Sequence, residues 1–305
     1  MSTRILITCH PTSVGSDEPG RHDTADGRSP GLEQLDLTRP DAYGQAFDDV
    51  YDDWYGSHRT PDDGLDAMVR FVSVRCPSGV VVELGVGSGR LAVPLHRAGL
   101  RVIGIDASQP MLSRCPPSIV RVAADMARLP IRARCSSGGP APTEPPTFLC
   151  GFNTLFNVGS SDGLDRLLAT VACVRATLIV EMLNIEVLPA EPIRSTDVAP
   201  FPTEGGIVVS ATSADAPNRR LAGRHLEITD RGVVSRPWLL RLVGHHELDD
   251  RAGRHGLRAV ERYRSWNTDP FTETDPSSIS VFAPDPLGSP ESADPGDHQP
   301  DARNR

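Results

Sequence analysis

The spacing of hydrophobic residues changes several times along this chain, and each change predicts a different kind of element. Residues 1–42 are rich in Asp, Gly, Pro, Ser and Thr without an apolar period. Such a segment buries too little apolar surface to order itself, so disorder is expected there, with Ile5-Leu6-Ile7 as a short strand candidate. Between 43 and 58, Phe47, Val50, Tyr51, Trp54 and Tyr55 recur every three or four residues, which predicts a helix with an aromatic face. A second helix is expected from Asp62 to Val74, opened by acids as a helix N-terminus favours.

Strand and helix patterns then alternate. Val80–Leu84, Arg101–Ile105, Val120–Ala123, Phe148–Phe152 and Ala176–Met182 read as strands. Helices are expected over 90–98, 109–114 and 164–175, with a loop over the Pro-, Gly- and Ser-rich residues 135–146. This repetition predicts a parallel sheet covered on both faces. After Pro189 the runs Ile207–Thr212, Leu221–Thr229 and Val233–Val243 follow each other closely, the pattern of an antiparallel lobe. A helix from Glu247 to His255 and two strands, Leu257–Tyr263 and Ser278–Phe282, close the pattern. The predicted fold is therefore a doubly wound, mostly parallel seven-stranded α/β sheet with an inserted antiparallel β lobe. Its parts are a core over 43–189, the lobe over 190–245, the end of the core over 246–283 and a polar tail over 284–305.

The strongest local signal is Glu83-Leu84-Gly85-Val86-Gly87-Ser88-Gly89-Arg90, a glycine turn between a strand and a helix. Such a turn lets backbone amides approach a ligand, and the helix N-terminus favours an anion. Dinucleotide binders require Gly-x-Gly-x-x-Gly, but here the third glycine position is Arg90. The observed spacing is Gly-x-Gly-x-Gly, preceded by an acid that can hold an ammonium, a group that S-adenosylmethionine (SAM) has and NAD lacks. Asp106, with Ala107 after it, ends the second strand, where a carboxylate can accept from both ribose hydroxyls. Asp125-Met126 follows the third strand, placed for the adenine amino group and ring face.

In this order these residues resemble the class I SAM-dependent methyltransferases, over residues 43–283. Glu83 to Gly89 matches their first motif, Asp106 the ribose acid and Asp125-Met126 the adenine motif. More narrowly, the chain is similar to bacterial small-molecule methyltransferases of the natural-product type. The likeness lies in Tyr51 to Tyr55, in Phe152-Asn153-Thr154-Leu155-Phe156-Asn157 after the fourth strand, in Glu247 to Asp249, and in Trp266 to Thr272. Two departures stand out: Cys173-Val174-Arg175-Ala176 replaces the usual Pro-Gly-Gly before the fifth strand, and the 135–146 insert is unusual. The resemblance implies a Rossmann-like fold, SAM as cofactor, and a site built from Tyr51, Tyr55, Glu83, Gly85, Gly87, Gly89, Asp106, Ala107, Asp125, Met126 and Asn153. It also implies methyl transfer to a small-molecule nitrogen or oxygen, with secondary metabolism as the setting.

Methyl transfer from a sulfonium needs alignment of two reactants and exclusion of water more than activation of the donor. A nitrogen acceptor must be neutral, and an oxygen acceptor usually needs a base. Acceptor groups are expected beyond the carboxyl ends of the strands. Asn153 and Asn157 stand there after strand four, and Glu181 and Asn184 near the end of strand five. His245 and His246 lie between lobe and core. Asn157, His245 and His246 are the candidates for contact with the acceptor. Each has a structural alternative, as a turn cap for Asn157 and a solvated helix start for the histidines. Tyr51, Trp54 and Tyr55 are candidates for a lid over the cofactor.

Composition removes other functions. The net charge is −9, of which −6 falls in the two tails, and that disfavours a nucleic-acid or anionic membrane surface. All 31 basic residues are arginine, which excludes a Schiff base, a Walker lysine or a lysine base. The six cysteines form no Cys-x-x-Cys pair, so reduced thiols and no metal site are expected. No apolar run nears the ~18 residues of a membrane span, and a cytoplasmic protein is expected. Exposed strand edges in the lobe make it the expected contact of a homodimer. Two other readings remain open at this point: an NAD-dependent oxidoreductase, and a non-catalytic homologue that binds SAM without turnover.

Overall fold

A computed structural model describes residues 36–55, 62–131, 144–189, 191–200 and 206–285. The chain begins with two short helices, α1 (Ala42–Phe47) and α2 (Tyr51–Tyr55), where one helix was expected. Residues 48–50 form a turn between them, and Val50 donates its amide to the Phe47 carbonyl at 3.1 Å. The predicted aromatic face survives the break in part: Phe47 is fully buried and Tyr51 half-buried. The side chains of Trp54 and Tyr55 lie outside the described residues.

Helix α3 (Asp62–Val74) leads into the main sheet. Its strands are β1 (Val80–Leu84), β2 (Arg101–Asp106), β3 (Val120–Ala123), β4 (Thr147–Cys150), β5 (Thr177–Leu183), β10 (Leu257–Tyr263) and β11 (Ser277–Pro284), in the order β10-β11-β5-β4-β1-β2-β3. Strands β1 to β5 are mutually parallel; β11 runs antiparallel to both β5 and β10. Helices α4 (Ala92–Arg97), α5 (Gln109–Arg114), α6 (Ser161–Cys173) and α7 (His245–Arg254) complete the core. The central strands are hydrophobic on both faces, as a doubly covered sheet requires. One apolar cluster under α6 and α7 holds Phe148, Leu164, Leu168 and Phe282; another under α3 and α4 holds Phe71, Leu95, Leu149 and Ile179.

The strand order reverses between β1 and β4. That is the switch point at which open α/β sheets leave a crevice at the carboxyl ends of the strands. The lobe faces this crevice. It is a four-stranded antiparallel sheet: β6 (Ile193–Pro200), β7 (Ile207–Asp215), β8 (Arg220–Thr229) and β9 (Gly232–Arg241). Three strands were expected. β6 was missed because Arg, Ser, Thr and Asp interrupt its few apolar residues and Pro200 ends it. Ile5–Ile7, most of the 135–146 loop and most of both tails fall outside the described residues. Within the expected N-terminal disorder, residues 36–41 form turns and Ala42 is already buried. Cys76, Cys115 and Cys150 are free and buried, but Cys173 is disulfide-bonded, so the expectation of reduced thiols throughout is corrected there.

Candidate cofactor and acceptor site

The glycine turn folds as its spacing requires. Gly85, Gly87 and Gly89 have φ of +68°, +54° and +97°, a left-handed region that only glycine enters without strain. At Gly85 a side chain would also collide with Thr154, whose Cγ2 would stand 2.3 Å from an added Cβ. Alternating left-handed residues turn the chain sharply at the end of β1. The amides of Gly85 and Val86 both donate to the Ile105 carbonyl, at 2.7 and 3.0 Å, which fixes the turn beside the end of β2.

Asp106 sits at that end. Its carboxylate accepts from the Gly87 amide at 2.8 Å and from the Ser108 amide at 2.8 Å, so one side chain ties two cofactor loops together. Burial raises its pKa, and these backbone bonds oppose the rise. Glu83 is buried in β1, with Oε2 lacking a hydrogen-bond partner among the described residues. Burial, and then the nearby Asp106, push its pKa well above the ordinary carboxyl value. Asp125 caps a 3₁₀ turn over Met126–Arg128 by accepting from the Ala127 amide at 2.8 Å, and this turn presents Met126 beside it.

The end of β4 is stranger. Phe152 and Asn153 are both left-handed, with φ of +51° and +62°. β5 holds this kink: Glu181 Oε2 accepts from the Phe152 amide at 2.7 Å, and Asn153 Oδ1 accepts from the Leu183 amide at 2.7 Å. Glu181 also accepts from Trp266 Nε1 at 3.1 Å, and its pKa is raised by burial. Its partners make Glu181 a brace for the kink. Asn157 donates to the Thr154 carbonyl at 3.3 Å within the next 3₁₀ turn. Asn184 is consumed structurally, donating to the carbonyls of Glu273 and Asp275.

These groups surround one cavity, open to solvent. Gly85, Gly87, Asp106, Ala107, Asp125, Met126 and Asn153 line it, together with Tyr51 and Asn157. Glu83 and Gly89 stand just behind the turn, and Tyr55 is described only by its backbone. Helix α2 is clamped over the turn. Ser88 Oγ donates to Asp52 at 2.5 Å, and Arg114 pairs with the same carboxylate at 3.3 Å. Burial pushes the Tyr51 phenol up to about 12.

The opposite wall belongs to the lobe: Leu221, His225, Trp238 and Leu240. Gly223 opposes Trp238 in the β8–β9 register, and an added Cβ there would meet the indole at 2.4 Å, so the ring lies flat across the strand. The His225 ring stacks on Trp238 at 6.0 Å between centroids, and its Nδ1 meets Ser210 Oγ at 2.6 Å. Trp238 Nε1 is buried with no hydrogen-bond partner among the described residues. Sequence reasoning missed all four lobe residues. The period-two spacing of Leu221, Gly223 and His225 was the available signal, but nothing in the sequence says which face of the lobe meets the core.

His245 and His246 are placed elsewhere, a correction to their expected position at the acceptor. His245 is buried at the start of α7, where Nε2 meets Ser278 Oγ at 2.6 Å and Nδ1 lies 3.4 Å from Glu186. Burial lowers its pKa, and the ring packs edge-on against Phe271. His246 is exposed, and neither histidine lines the cavity. Among the described residues no group of three or more His, Cys, Asp or Glu side chains could hold a metal, and no helix is long and apolar enough to cross a membrane.

The residues fit SAM. Glu83 Oε2 is a buried carboxylate oxygen without a hydrogen-bond partner among the described residues, glycines of the turn line the cavity without side chains, and acids follow β2 and β3 in the required order. The dinucleotide alternative falls away, because the third glycine position holds Arg90, whose guanidinium lies 4.0 Å over the Phe152 ring. Comparison with known proteins agrees. A methyltransferase domain family matches residues 82–136. No curated protein matches the chain. Among solved structures, the CcbJ methyltransferase from Streptomyces caelestis is 26% identical with a TM-score of 0.67, covering 81% of this chain and 99% of its own. CalS10, an amino pentose methyltransferase from Micromonospora echinaspora solved with SAM, is 17% identical (TM-score 0.56, 77% and 96% covered), a likeness of fold. So is that to the sugar N-methyltransferase KedS8 from Streptoalloteichus, at 14% (TM-score 0.55, 90% and 99% covered). Cofactor motifs, sheet order and relatives agree: this chain carries a methyltransferase domain over residues 82–136 and is similar to SAM-dependent methyltransferases of the bacterial small-molecule type.

Proposed function

We propose that the enzyme methylates a nitrogen or oxygen of a small molecule held between the carboxyl edge of the sheet and the lobe. One observation carries this: a single cavity has the SAM motifs on one wall and the apolar and aromatic residues of the lobe on the other. In this reading Asp106 takes the ribose hydroxyls, Asp125 and Met126 the adenine, Glu83 the ammonium, and Tyr51 and Tyr55 close over them. Asn153 shapes the turn beneath. SAM supplies an activated methyl group. The chain aligns the acceptor and keeps water out, and no general base needs to be strong.

As the new N–CH3 or O–CH3 bond forms and the S–CH3 bond breaks, the acceptor's proton needs a destination. His225 is the titratable side chain on the acceptor wall. Its Nδ1 meets Ser210 Oγ, with donor and acceptor set by the ring's tautomer, and we assign the imidazole to take up that proton. Asn157 orients the acceptor from the other side, and Trp238 Nε1 offers it a hydrogen bond. We place the protein in the cytoplasm and in secondary metabolism, on the strength of its family resemblance.

Calorimetry beside a methyl-transfer assay tests the reading. His225→Asn and Asn157→Ala should each lower turnover about 10–1,000-fold while SAM affinity stays within about twofold, the split expected of residues that serve the acceptor. Wild-type protein that binds no SAM, or variants with unchanged turnover, would sink it. A normal SAM site without turnover on any acceptor would favour the non-catalytic alternative.

A further inference from the structure

We propose that the acceptor carries an anionic group, a carboxylate or a phosphate, remote from the methylated atom, and that arginines of an outer cavity receive it. The inference rests on the reading of the inner cavity given above. The outer cavity, open to solvent, adjoins the inner one across Tyr43, Phe156, Asn157, Trp238 and Leu240, which line both. It is lined by Arg39, Arg219, Arg220 and Arg241 and by no Asp or Glu among the described residues. The chain as a whole has 40 acids against 31 arginines, so this local excess runs against its background.

Neighbouring acids do not cancel it. Arg39 is spent on Asp41, at 3.0 Å through each of two nitrogens. Arg219 and Arg241 share a single carboxylate, Glu247, at 3.7 and 2.5 Å. Arg251 draws on that same carboxylate at 3.0 Å. Nη1 of Arg241 is buried without a hydrogen-bond partner among the described residues. Arg220 has Asp215 nearby, but that carboxylate already accepts two bonds from Asn218. Arg241 Nη2 donates to Ser161 Oγ in the first turn of α6, a thirteen-residue helix whose N-terminal dipole adds positive potential. Planar guanidiniums match the paired oxygens of carboxylate and phosphate. The turn between β7 and β8 holds them in place, with Arg219 left-handed at φ +53° and its carbonyl accepting from the Leu242 amide at 2.9 Å.

The test is a titration of the full chain, saturated with S-adenosylhomocysteine, with three probes of similar shape: benzoate, phenyl phosphate and benzamide. At low salt at least one anion should bind about fivefold or more tightly than neutral benzamide, and whichever binds tighter identifies the group. Arg219→Asn, which tolerates the left-handed backbone, and the exposed Arg220→Gln should together remove that preference while leaving benzamide and S-adenosylhomocysteine affinities unchanged. Arg241→Gln should do the same, with a melting curve to confirm that it folds. Equal binding of all three probes, or a preference that survives the double variant, would overturn the proposal while retained S-adenosylhomocysteine binding leaves the cofactor site standing. Wild-type protein that takes no S-adenosylhomocysteine would instead overturn the inner-cavity reading beneath it.

Discussion

Two consecutive non-glycine residues in the left-handed region, Phe152 and Asn153, cost on the order of 1–3 kcal/mol each in strain. They persist because β5 holds both, through Glu181 and the Leu183 amide. The kink aims Asn153 and the following turn at the cavity. Asn153→Ala loses an αL-tolerant residue and the bond to Leu183 together, and should lower stability by about 1–3 kcal/mol by urea denaturation. Asn153→Gly, which keeps the backbone free to kink, should lose less. Glu83 gives a second prediction. Its folded pKa is raised, chiefly by burial, so the folded state holds a proton that the unfolded state gives up. In ligand-free protein the contribution of Glu83 to stability is therefore fully present below the ordinary glutamate pKa and is lost as pH climbs from there through the raised value. An ammonium beside the carboxylate reverses the preference. SAM affinity should rise with pH across that window, with proton release visible as a buffer-dependent binding enthalpy. Glu83→Gln should flatten both trends, and a pH-independent wild type would remove Glu83 from the cofactor site.

At the scale of elements, a buried cation ties the lobe to the segment around α1. Arg236 of β9 pairs with Glu227 of β8, bonds Asp49 in the turn after α1 at 2.6 Å, and donates to the Ala46 carbonyl at 2.8 Å. Removing one partner of such a buried pair leaves the other uncompensated. Arg236→Ala should therefore cost about 3–5 kcal/mol. Arg236→Met with Glu227→Leu should recover much of it, since the pair's net contribution is small once desolvation is counted. A double variant no more stable than Arg236→Ala would show that the cluster contributes more than its charges. None of this was visible in the sequence. The parallel strands and the glycine turn were, because a strand buried on both faces reads as a continuous apolar run and left-handed turns demand glycine. Asp106, Asp125 and Asn157 could be placed because each lies at or shortly after the carboxyl end of a parallel strand. Arg236, His225 and Trp238 could not. Their importance comes from a contact between β8 or β9 and residues about 180 positions earlier, and alternation alone does not say which side of a sheet will be covered. The break between α1 and α2 was missed for a related reason: an apolar period continues across a turn when both helices pack on the same core.

For the whole molecule, the uncovered face of the lobe is the open question of assembly. Val198, Ile207, Ile228 and Val233 are exposed, and their register puts them on the side of the sheet away from His225 and Trp238. Apolar surface gathered this way favours self-association. The homodimer expected through the lobe should sediment as such at tens of micromolar, and Val198→Glu with Ile228→Glu should give monomers that still bind SAM. A wild-type monomer at that concentration would remove the lobe as a dimer contact.

The short segment 42–55 is fastened at three places: to the glycine turn through Asp52, to α5 through Arg114, and to the lobe through Asp49 and Arg236. The cofactor and acceptor halves of the cavity therefore lie beside one fastened segment, which we expect to act as their common door. An acceptor bound against the lobe should then slow exchange of the spent cofactor. Trapping follows from that: a saturating dead-end acceptor analogue should slow release of pre-bound radiolabelled S-adenosylhomocysteine into a chase of unlabelled compound. Weakening the latch with Asp49→Asn should restore fast release, which would make the speed of that door a property of one surface carboxylate far from the methyl group.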